Sequence, residues 1–585
     1  MDTSPSPRRP GDMVTRPSPA HSPPASDFTF FPYIHTRTGD PIKLKNSITG
    51  PLSGLSSSVR YASGKHADVE LVPQPSDDAQ DPLNWPCWQR DLHFVSLLVM
   101  VVIVGATKTV LIPTAGSLSE HYRVSDTSIA VLTAVPLMVS ALTGVLSAIV
   151  ARFWGKRPVY MAAALLMFGG TMWNMTAGGD HYGFCLASRV IQGLGWGAFD
   201  VLVNGSIQDT YFEHERNVPL TIYNIASITA TWGAPLLVGL ASNVNGFTTA
   251  FRVINCLYGV AFPLLAFAAP ESTFDRANGA ITSIPPPKSW RFRYREKALS
   301  VPEYFAQMKP FSSQAPVTFS SLLQAPRALV APTTWMLLLL TCVPFGALWG
   351  LTTTISIMTT PAPLSLRGSL TGVLMTGPWV IALLCVGGVS LYRGLHEQRS
   401  TRRVSCLLLA AGTALVLIGL LSYGLGIHGF MNSHPSSSGR SPIFSPTAAK
   451  QVSLPLLSLQ LGILAGGSYT LDTTVRAFIA RSASFTSSSI AVDHRTSFDM
   501  LSGVIVLRSL ATGVFVLILP HIVTFHGGLK AAVIGLAVTQ VVLTAGLMAL
   551  WWLCDKSVWQ VDGKIMDLVN WKLLRRASTS FFDAD

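Results

Sequence analysis

Charged residues are scarce in this chain. Only 12% of its 585 residues are Asp, Glu, Lys or Arg, whereas 49% are hydrophobic, and the mean hydropathy is +0.41. A soluble domain of ordinary composition is about 25% charged. Because single cores stop growing near about 250–300 residues, a larger soluble core cannot account for the apolar excess. The composition therefore predicts that much of the chain meets lipid.

Motifs for metal, disulfide and nucleotide chemistry are missing as well. The seven cysteines form no CxxC pair, and the thirteen histidines form no cluster. The Gly-Lys pairs lack the GxxxxGK[ST] spacing of a phosphate-binding loop. The sequence thus predicts no cofactor, no metal site and no catalytic residue. This argues against an ATP-driven pump and against a membrane-embedded enzyme.

The first 92 residues lack apolar runs. They are rich in Pro and Ser, and no basic start is followed by an apolar segment, so we predict a disordered cytosolic region without a cleaved signal peptide. Near its end, residues 81–88 read DPLNWPCW. Two tryptophans at this point suit the headgroup layer, and we interpret the segment as an interfacial entry motif.

Long apolar stretches are what the sequence has in abundance. Twelve of them approach the about 20 residues that a membrane-spanning helix needs. They lie at 93–113, 128–150, 158–177, 183–205, 219–240, 249–269, 333–357, 370–392, 404–427, 453–475, 499–520 and 529–553. We predict an all-α integral membrane protein whose twelve transmembrane helices form two six-helix bundles, 93–270 and 333–553. A cytosolic linker at 271–332 joins the bundles, and a cytosolic tail occupies 554–585.

The basic residues are unevenly distributed between the predicted loops. With the N-terminus in the cytosol, most Lys and Arg fall on the cytosolic side, as the positive-inside rule requires. Anionic inner-leaflet lipid then accounts for the formal charge of +12, so no nucleic-acid partner is predicted. We expect both termini in the cytosol and the plasma membrane rather than the vacuole as the location.

The turn between the predicted second and third helices carries a family resemblance. Residues 151–160 read ARFWGKRPVY, which is similar to the G-x-L-a-D-r-x-G-r-k signature of the major facilitator superfamily. Gly155 permits the tight bend, and Lys156 and Arg157 follow it at headgroup depth. Arg152 stands where the family has an aspartate.

Further segments resemble the same family. ASRVIQGLG at 187–195 is similar to its R-x-x-q-G-x-g pattern, with Arg189 and Gln192 at the matching positions. DTYFEHER at 209–216 resembles the charged end of the same helix. GAPLLVG at 233–239 is similar to the G-P-x-x-G-G motif of drug:proton antiporters. With the segment at 81–86, these motifs resemble fungal twelve-helix members, including drug and polyamine transporter-like proteins.

This resemblance implies alternating access around a central site lined by the predicted helices 1, 4, 7 and 10. It also implies proton-coupled efflux of a small organic metabolite or drug-like compound, such as a secondary metabolite. Arg152, Lys156 and Arg157 are expected to face acids at the end of the fourth helix. The residues predicted to form the gate are Gly155, Lys156, Arg157, Asp209, Glu213, Glu215, Arg216 and Pro235.

Ionisable residues inside the predicted helices are the candidate site. They cost at least ~2.5–3.5 kcal/mol each in hydrocarbon, so they usually face a cavity. Asp200 and Asp472 are predicted to carry protons, because a buried carboxylate can bind one near neutral pH. The residues predicted to bind substrate are Lys108, Arg189, Gln192, Trp196 and Arg508.

The cations among these residues suggest the cargo. Lys108 and Arg189 are predicted at one depth, with no acid beside them, and Arg508 adds a third positive charge if it faces inward. Since unpaired buried cations are costly, a ligand would supply the counter-charge, and we expect an organic anion. The alternative is that Asp200 or backbone carbonyls satisfy these cations and that the cargo is neutral.

Other functions remain open at this stage. An uptake facilitator for a small nutrient and a sensor with a transporter fold both fit the same hydropathy. In each case the expected partners are a small molecule and the lipid bilayer, and we expect a monomer.

Overall fold

A computed structural model describes residues 71–76, 81–176, 181–245, 248–274, 304, 308, 319–360, 364–395, 402–432, 452–486, 490–524 and 528–566. Regular secondary structure in these ranges is entirely helical. The α-helices are α1 (Cys87–Thr109), α2 (Ala115–Tyr122), α3 (Asp126–Trp154), α4 (Lys156–Thr176), α5 (Tyr182–Thr210), α6 (Asn217–Ile228), α7 (Ala234–Asn245), α8 (Thr248–Ala268), α9 (Phe319–Val330), α10 (Pro332–Thr359), α11 (Gly368–Leu374), α12 (Thr376–Leu395), α13 (Arg402–Asn432), α14 (Leu454–Thr486), α15 (Ile490–Thr524) and α16 (Gly528–Ile565).

Ten helical segments in this described part are long and apolar enough to cross a membrane. They coincide with ten of the twelve predicted stretches. The other two stretches, 158–177 and 183–205, coincide with α4 and α5. These two helices hold more small and polar residues, which lowers their hydropathy.

The outer surface of the helices is apolar. Leu384, Leu391 and Leu553 are 69%, 70% and 77% exposed. In water such a surface would drive aggregation, whereas lipid tails cover it without cost. The helices therefore suit a lipid surrounding.

Helix α10 lies at the centre of the structure. In its most apolar 18-residue stretch, 89% is buried, whereas the corresponding value for α16 is 28%. Helix α10 is therefore surrounded by protein, and α16 lies at the periphery. Helices α1–α8 pack mainly on one another, as do α9–α16. The two groups meet where α3 packs on α15, α6 on α12 and α7 on α11.

Glycines allow α5 to pack closely on two neighbours. A Cβ on Gly193 would lie 2.7 Å from the Pro136 carbonyl oxygen of α3, and one on Gly195 would lie 2.5 Å from the Ala163 carbonyl oxygen of α4. Small residues are what membrane helices use to bring backbones together. Any larger side chain here would separate α5 from α3 or α4.

Three segments are more ordered than predicted. Residues 71–76 and 81–92, predicted to be disordered, are held by hydrogen bonds: Asp81 accepts from the Ser76 and Leu83 amides at 2.9 and 3.1 Å. Helix α9 lies inside the predicted linker, and α16 continues beyond 553 to Ile565. Hydropathy misses such segments because hydrogen bonds and amphipathic packing, rather than long apolar runs, hold them. Residues 1–70, most of the linker and 567–585 lie outside the described residues.

Candidate functional site

A cavity of about 150 Å³ lies between the two groups of helices. Its walls come from α1, α3, α5, α6, α10, α12, α14 and α15, with Thr231 from the π-helical turn between α6 and α7. The charged residues in the lining are Lys108, Asp200, Asp472, Arg476 and Arg508. A charged cavity between the helices of an apolar protein is the default candidate for a ligand site.

Both predicted proton carriers form ion pairs in this cavity. The Lys108 Nζ lies 2.6 Å from each carboxylate oxygen of Asp200, and Arg508 pairs with Asp472. The expectation that Lys108 and Arg508 lack an acid is therefore wrong. Counting residues along a helix gives the depth of Cα atoms only, and the long stems of Lys and Arg carry their charges to acids at another depth.

Arg189 lies behind the cavity wall. Its side chain is fully buried and donates to the Leu132 carbonyl at 3.2 Å, the Thr107 carbonyl at 2.7 Å and the Gln192 Oε1 at 2.8 Å. Neither Arg189 nor Gln192 lines the cavity. The alternative that backbone carbonyls satisfy this cation holds for two of its nitrogens, whereas the buried Nη2 has no hydrogen-bond partner among the described residues.

These carbonyls need a donor for reasons the sequence contains. The helical partner of the Leu132 carbonyl would be the amide of residue 136, and Pro136 has none. Thr107 lies in the last turn of α1, where carbonyls run out of helical donors. Arg189 thus supplies N–H groups to two carbonyls on two other helices.

Trp196 separates Arg189 from the cavity. Its fully buried ring lies 5.0 Å from the Arg189 guanidinium carbon and 5.9 Å from the Lys108 Nζ. Such distances allow cation–π attraction on the ring. Trp196 is therefore a packing residue in this conformation, and it does not line the cavity.

Other cavity residues were missed from the sequence. Arg476 follows Asp472 by one helical turn, and this spacing could have placed it on the same face. Tyr223, Tyr469 and Phe345 also line the cavity. No pattern in the sequence distinguishes these aromatic residues from those that face lipid.

The aromatic wall is fixed by contacts between the helix groups. The rings of Trp232 and Trp349 lie 5.4 Å apart, and the Trp232 indole donates to the Tyr469 hydroxyl at 2.9 Å. The Arg508 guanidinium carbon lies 4.3 Å from the centre of the Phe345 ring. The cavity therefore has an apolar face beside its charged face.

One end of the molecule carries Arg152, Lys156 and Arg157, and we name it the basic end. Helix α3 ends at Trp154, where Gly155 takes a positive φ of 94° that a residue with a side chain would resist. The amides of Lys156 and Arg157 then donate to the Glu271 carboxylate at 3.0 and 2.9 Å. Gly155 and Glu271 together fix the turn that carries Lys156 and Arg157.

The basic residues meet only part of the predicted set of acids. The Lys156 Nζ lies 2.5 Å from Asp209, whereas Arg152 crosses to α15 and pairs with Asp499. Glu215 pairs with Arg90 of α1 at 2.8 Å.

The chain direction explains the difference. Helix α5 ends at Thr210, and Tyr211 is extended with φ −119° and ψ 140°, so the chain changes direction before Glu213 and Glu215. The Glu213 amide donates to the Val72 carbonyl at 2.9 Å, and no ion pair joins Glu213 to the basic turn in the described residues. Arg216 donates to the Tyr211 carbonyl at 2.9 Å.

The Tyr211 side chain is part of the same end. Burial raises the pKa of its hydroxyl, which donates to Asp91 at 3.1 Å.

The opposite end is closed by backbone contacts. Gly116 of α2 packs on Thr360 and its amide donates to Ser356 at 3.3 Å. A Cβ on Gly372 of α11 would lie 2.5 Å from the carbonyl oxygen of Pro235, a predicted gate residue. Contacts between the helix groups therefore lie on both sides of the cavity.

For the transport that the family resemblance implies, we expect Asp209→Asn to change the rate about two- to fivefold while protein abundance stays the same. A partly exposed pair such as Lys156–Asp209 is worth only ~0–1 kcal/mol, yet this is enough to shift a balance between two conformations. Initial rates and immunoblots would measure the two quantities. Glu213→Gln is the matched control and should leave the rate unchanged; an equal effect of both changes would contradict the assignment.

The geometry defines a multi-pass α-helical membrane protein with a charged cavity between two groups of helices. The chain belongs to the Major Facilitator Superfamily, whose family model matches residues 97–449.

Relatives and a solved structure agree with this family. The chain is 29% identical over 241 residues to the uncharacterised MFS-type transporter C1271.10c of Schizosaccharomyces pombe, covering 37% of this chain and 38% of that protein. It is 23% identical over 236 residues to polyamine transporter 3 of Saccharomyces cerevisiae, covering 40% and 37%. It is 21% identical over 198 residues to the trichosetin biosynthesis cluster MFS transporter of Gibberella fujikuroi, covering 34% and 40%. The matched regions thus span well under half of these relatives.

The fold comparison covers more of the chain. The crystal structure of the peptide transporter POT in complex with sulfate matches with a TM-score of 0.50 at 15% identity, over 81% of this chain and 96% of that one. At this identity the similarity concerns the fold alone.

Proposed function

We propose that this chain is a secondary transporter that moves a small organic molecule by alternating access, coupled to protons and directed outward. Its twelve predicted stretches would then be the spans, arranged as two six-helix bundles. The basic end, with both termini, would face the cytosol at the plasma membrane, and the protein would act as a monomer without catalytic activity.

The observation that carries this proposal is the cavity itself. It lies between the two helix groups, with contacts between the groups on either side of it. Loosening the contacts at one end while those at the other persist would expose the cavity to one side at a time. Alternating access requires such a two-state arrangement.

The two ion pairs in the cavity support proton coupling. Lys108 and Asp200 come from α1 and α5, and Arg508 and Asp472 come from α15 and α14. Protonation of either aspartate would remove the charge that holds its base, so the base and its helix would become free to move. Binding of a proton would thus change the balance between conformations.

We expect Asp200→Asn or Asp472→Asn to reduce the dependence of flux on the pH gradient about tenfold or more, since Asn cannot bind the proton. Cells that express the chain would first be screened for export of small acids, bases and neutral compounds. Flux of the compound exported fastest would then be followed in reconstituted vesicles with and without a pH gradient. The orientation of the vesicles also tests the direction.

The matched control is Asp126→Asn, because Asp126 begins α3 outside the cavity. It should keep full dependence on the gradient. If both cavity variants also keep it, the coupling assignment fails and an uncoupled facilitator is preferred. If the wild-type chain moves no compound across vesicles, the transporter proposal itself fails.

A further inference from the structure

The charges that line the cavity do not balance. Three cationic residues, Lys108, Arg476 and Arg508, stand against two carboxylates, Asp200 and Asp472. The two ion pairs use both carboxylates, which leaves one positive charge in excess. An uncompensated charge away from water is costly, so the cavity favours a group of opposite sign.

Arg476 is the cation without a carboxylate. Within the described residues, no carboxylate oxygen lies within 4.0 Å of it; its one hydrogen bond is a long one, 3.4 Å from Nη2 to the Asn224 Oδ1. Its guanidinium carbon lies 6.0 Å from the centre of the Tyr223 ring. Asp472, one turn before it, is held by Arg508. Several guanidinium N–H groups of Arg476 are therefore available to a ligand.

The neighbouring hydroxyls can act as donors as well. The Tyr469 oxygen accepts the hydrogen bond of the Trp232 indole, so its own O–H is left to donate. Tyr223 also lines the cavity, beside Arg476. A guanidinium with phenolic donors in the same cavity suits a carboxylate, which accepts two parallel N–H bonds from arginine.

The apolar face of the cavity suits an apolar body. Phe345 and Trp349 line it together with Leu137, Ile228 and Ile505. A cavity of about 150 Å³ accepts a molecule of roughly the size of benzene. In this conformation the space therefore fits a compact ring with one acidic group.

We propose that Arg476 is the residue that binds the acidic group of the transported molecule, and that the substrate class is small aromatic or apolar monocarboxylic acids. This rests on the proposed function, because it names the cargo of the same cavity. Lys108 and Arg508 stay paired with their aspartates, and Arg476 alone takes the anion. The cavity then becomes neutral when occupied.

Binding of three matched probes to the purified full-length chain tests this directly. Benzoate, benzyl alcohol and benzylammonium share a ring and differ in charge at neutral pH. Titration calorimetry and quenching of tryptophan fluorescence, to which Trp349 in the cavity wall contributes, would report their affinities. We expect benzoate to bind about tenfold more tightly than either other probe.

Variants of Arg476 assign the preference to this residue. Arg476→Gln should weaken benzoate about tenfold and leave benzyl alcohol unchanged, which also shows that the cavity is intact. Arg476→Lys should recover part of the loss, because it restores the charge but not the two parallel bonds. Arg481→Gln is the control: Arg481 lies on the same helix but stacks on Trp559, away from the cavity, at 5.1 Å.

Three results would overturn the proposal: tighter binding of benzylammonium or benzyl alcohol, unchanged benzoate affinity in Arg476→Gln, or no binding of any probe. Flux measurements in vesicles test the transporter proposal separately from the anion site. Proton-driven flux with no preference for benzoate refutes the anion site alone. Benzoate binding that depends on Arg476, with no flux of any compound, refutes transport and leaves the binding site standing.

Discussion

Replacing Asp499 by Arg is expected to abolish transport. The Asp499 side chain is fully buried and pairs with Arg152 across the boundary between α15 and α3. Removing one partner from a buried ion pair costs ~3–5 kcal/mol, since the other charge is left without compensation. Asp499→Arg adds repulsion between two guanidinium groups to this cost. We therefore expect the basic end to open and the cycle to stop.

A charge exchange distinguishes the pair from a general packing defect. The double variant Arg152→Asp/Asp499→Arg should recover a substantial part of the rate that each single variant loses. Arg252→Asp, which reverses an exposed arginine at the start of α8, should behave like wild type. Initial rates normalised to surface abundance give the comparison. A double variant no better than its worse parent would show that the pair does not control the cycle.

The arrangement explains the departure of Arg152 from the family signature. Arg152 stands where the signature has an acid, and here the acid, Asp499, lies on the facing helix. An ion pair between the two helix groups is thus present at the basic end, with Arg on α3 and Asp on α15.

Arg189→Gln is expected to lower the melting temperature sharply. The variant loses charge-assisted bonds to the Thr107 and Leu132 carbonyls, and each is worth ~1.5–3 kcal/mol. Both carbonyls would stay buried without a donor, so the free energy of unfolding should fall by roughly 3–5 kcal/mol. The melting temperature of Arg189→Lys should lie between those of wild type and Arg189→Gln, because a single ammonium cannot reach both helices as a planar guanidinium does.

Thermal unfolding of the purified variants, followed by loss of monodisperse protein, measures this effect. Lys108→Gln provides the contrast, since Lys108 lines the cavity and its side chain keeps 13% exposure. That variant should lose activity with a smaller change in melting temperature. A normal melting temperature for Arg189→Gln, together with lost substrate affinity, would contradict this assignment and show that Arg189 binds substrate.

The spans were predictable because lipid imposes a simple rule. About 20 apolar residues are needed to cross it, and α10 or α13 satisfies that rule in the sequence alone. The role of Arg189 was predictable too, because Pro136 in a predicted helix leaves the Leu132 carbonyl without its helical N–H donor. The sequence gives no equivalent sign for α9, which is short and amphipathic.

Asp200 as the partner of Lys108 was predicted only as an alternative, and the pairing of Arg152 with Asp499 was not predicted. Lys108 and Asp200 are 92 residues apart and Arg152 and Asp499 are 347 apart, and spacing along one helix says nothing about which helices face each other. The position of Asp499 inside a helix was also missed, because the start of that helix was predicted too late in the sequence. The predicted helix begins at 499, whereas α15 begins at Ile490, so the aspartate lies well inside the helix.

The buried carboxylate of Asp562 has a consequence for the order of biosynthesis. It accepts from the Thr333 amide at the start of α10 at 3.0 Å and from the Ser482 hydroxyl of α14 at 2.8 Å. Thr333 leaves the ribosome 229 residues before its partner, which is roughly 10–50 s at ordinary translation rates. During that time the first turn of the central helix α10 has no cap from Asp562. Helices α9–α16 therefore gain the hydrogen bonds of Asp562 only after their last helix has been made.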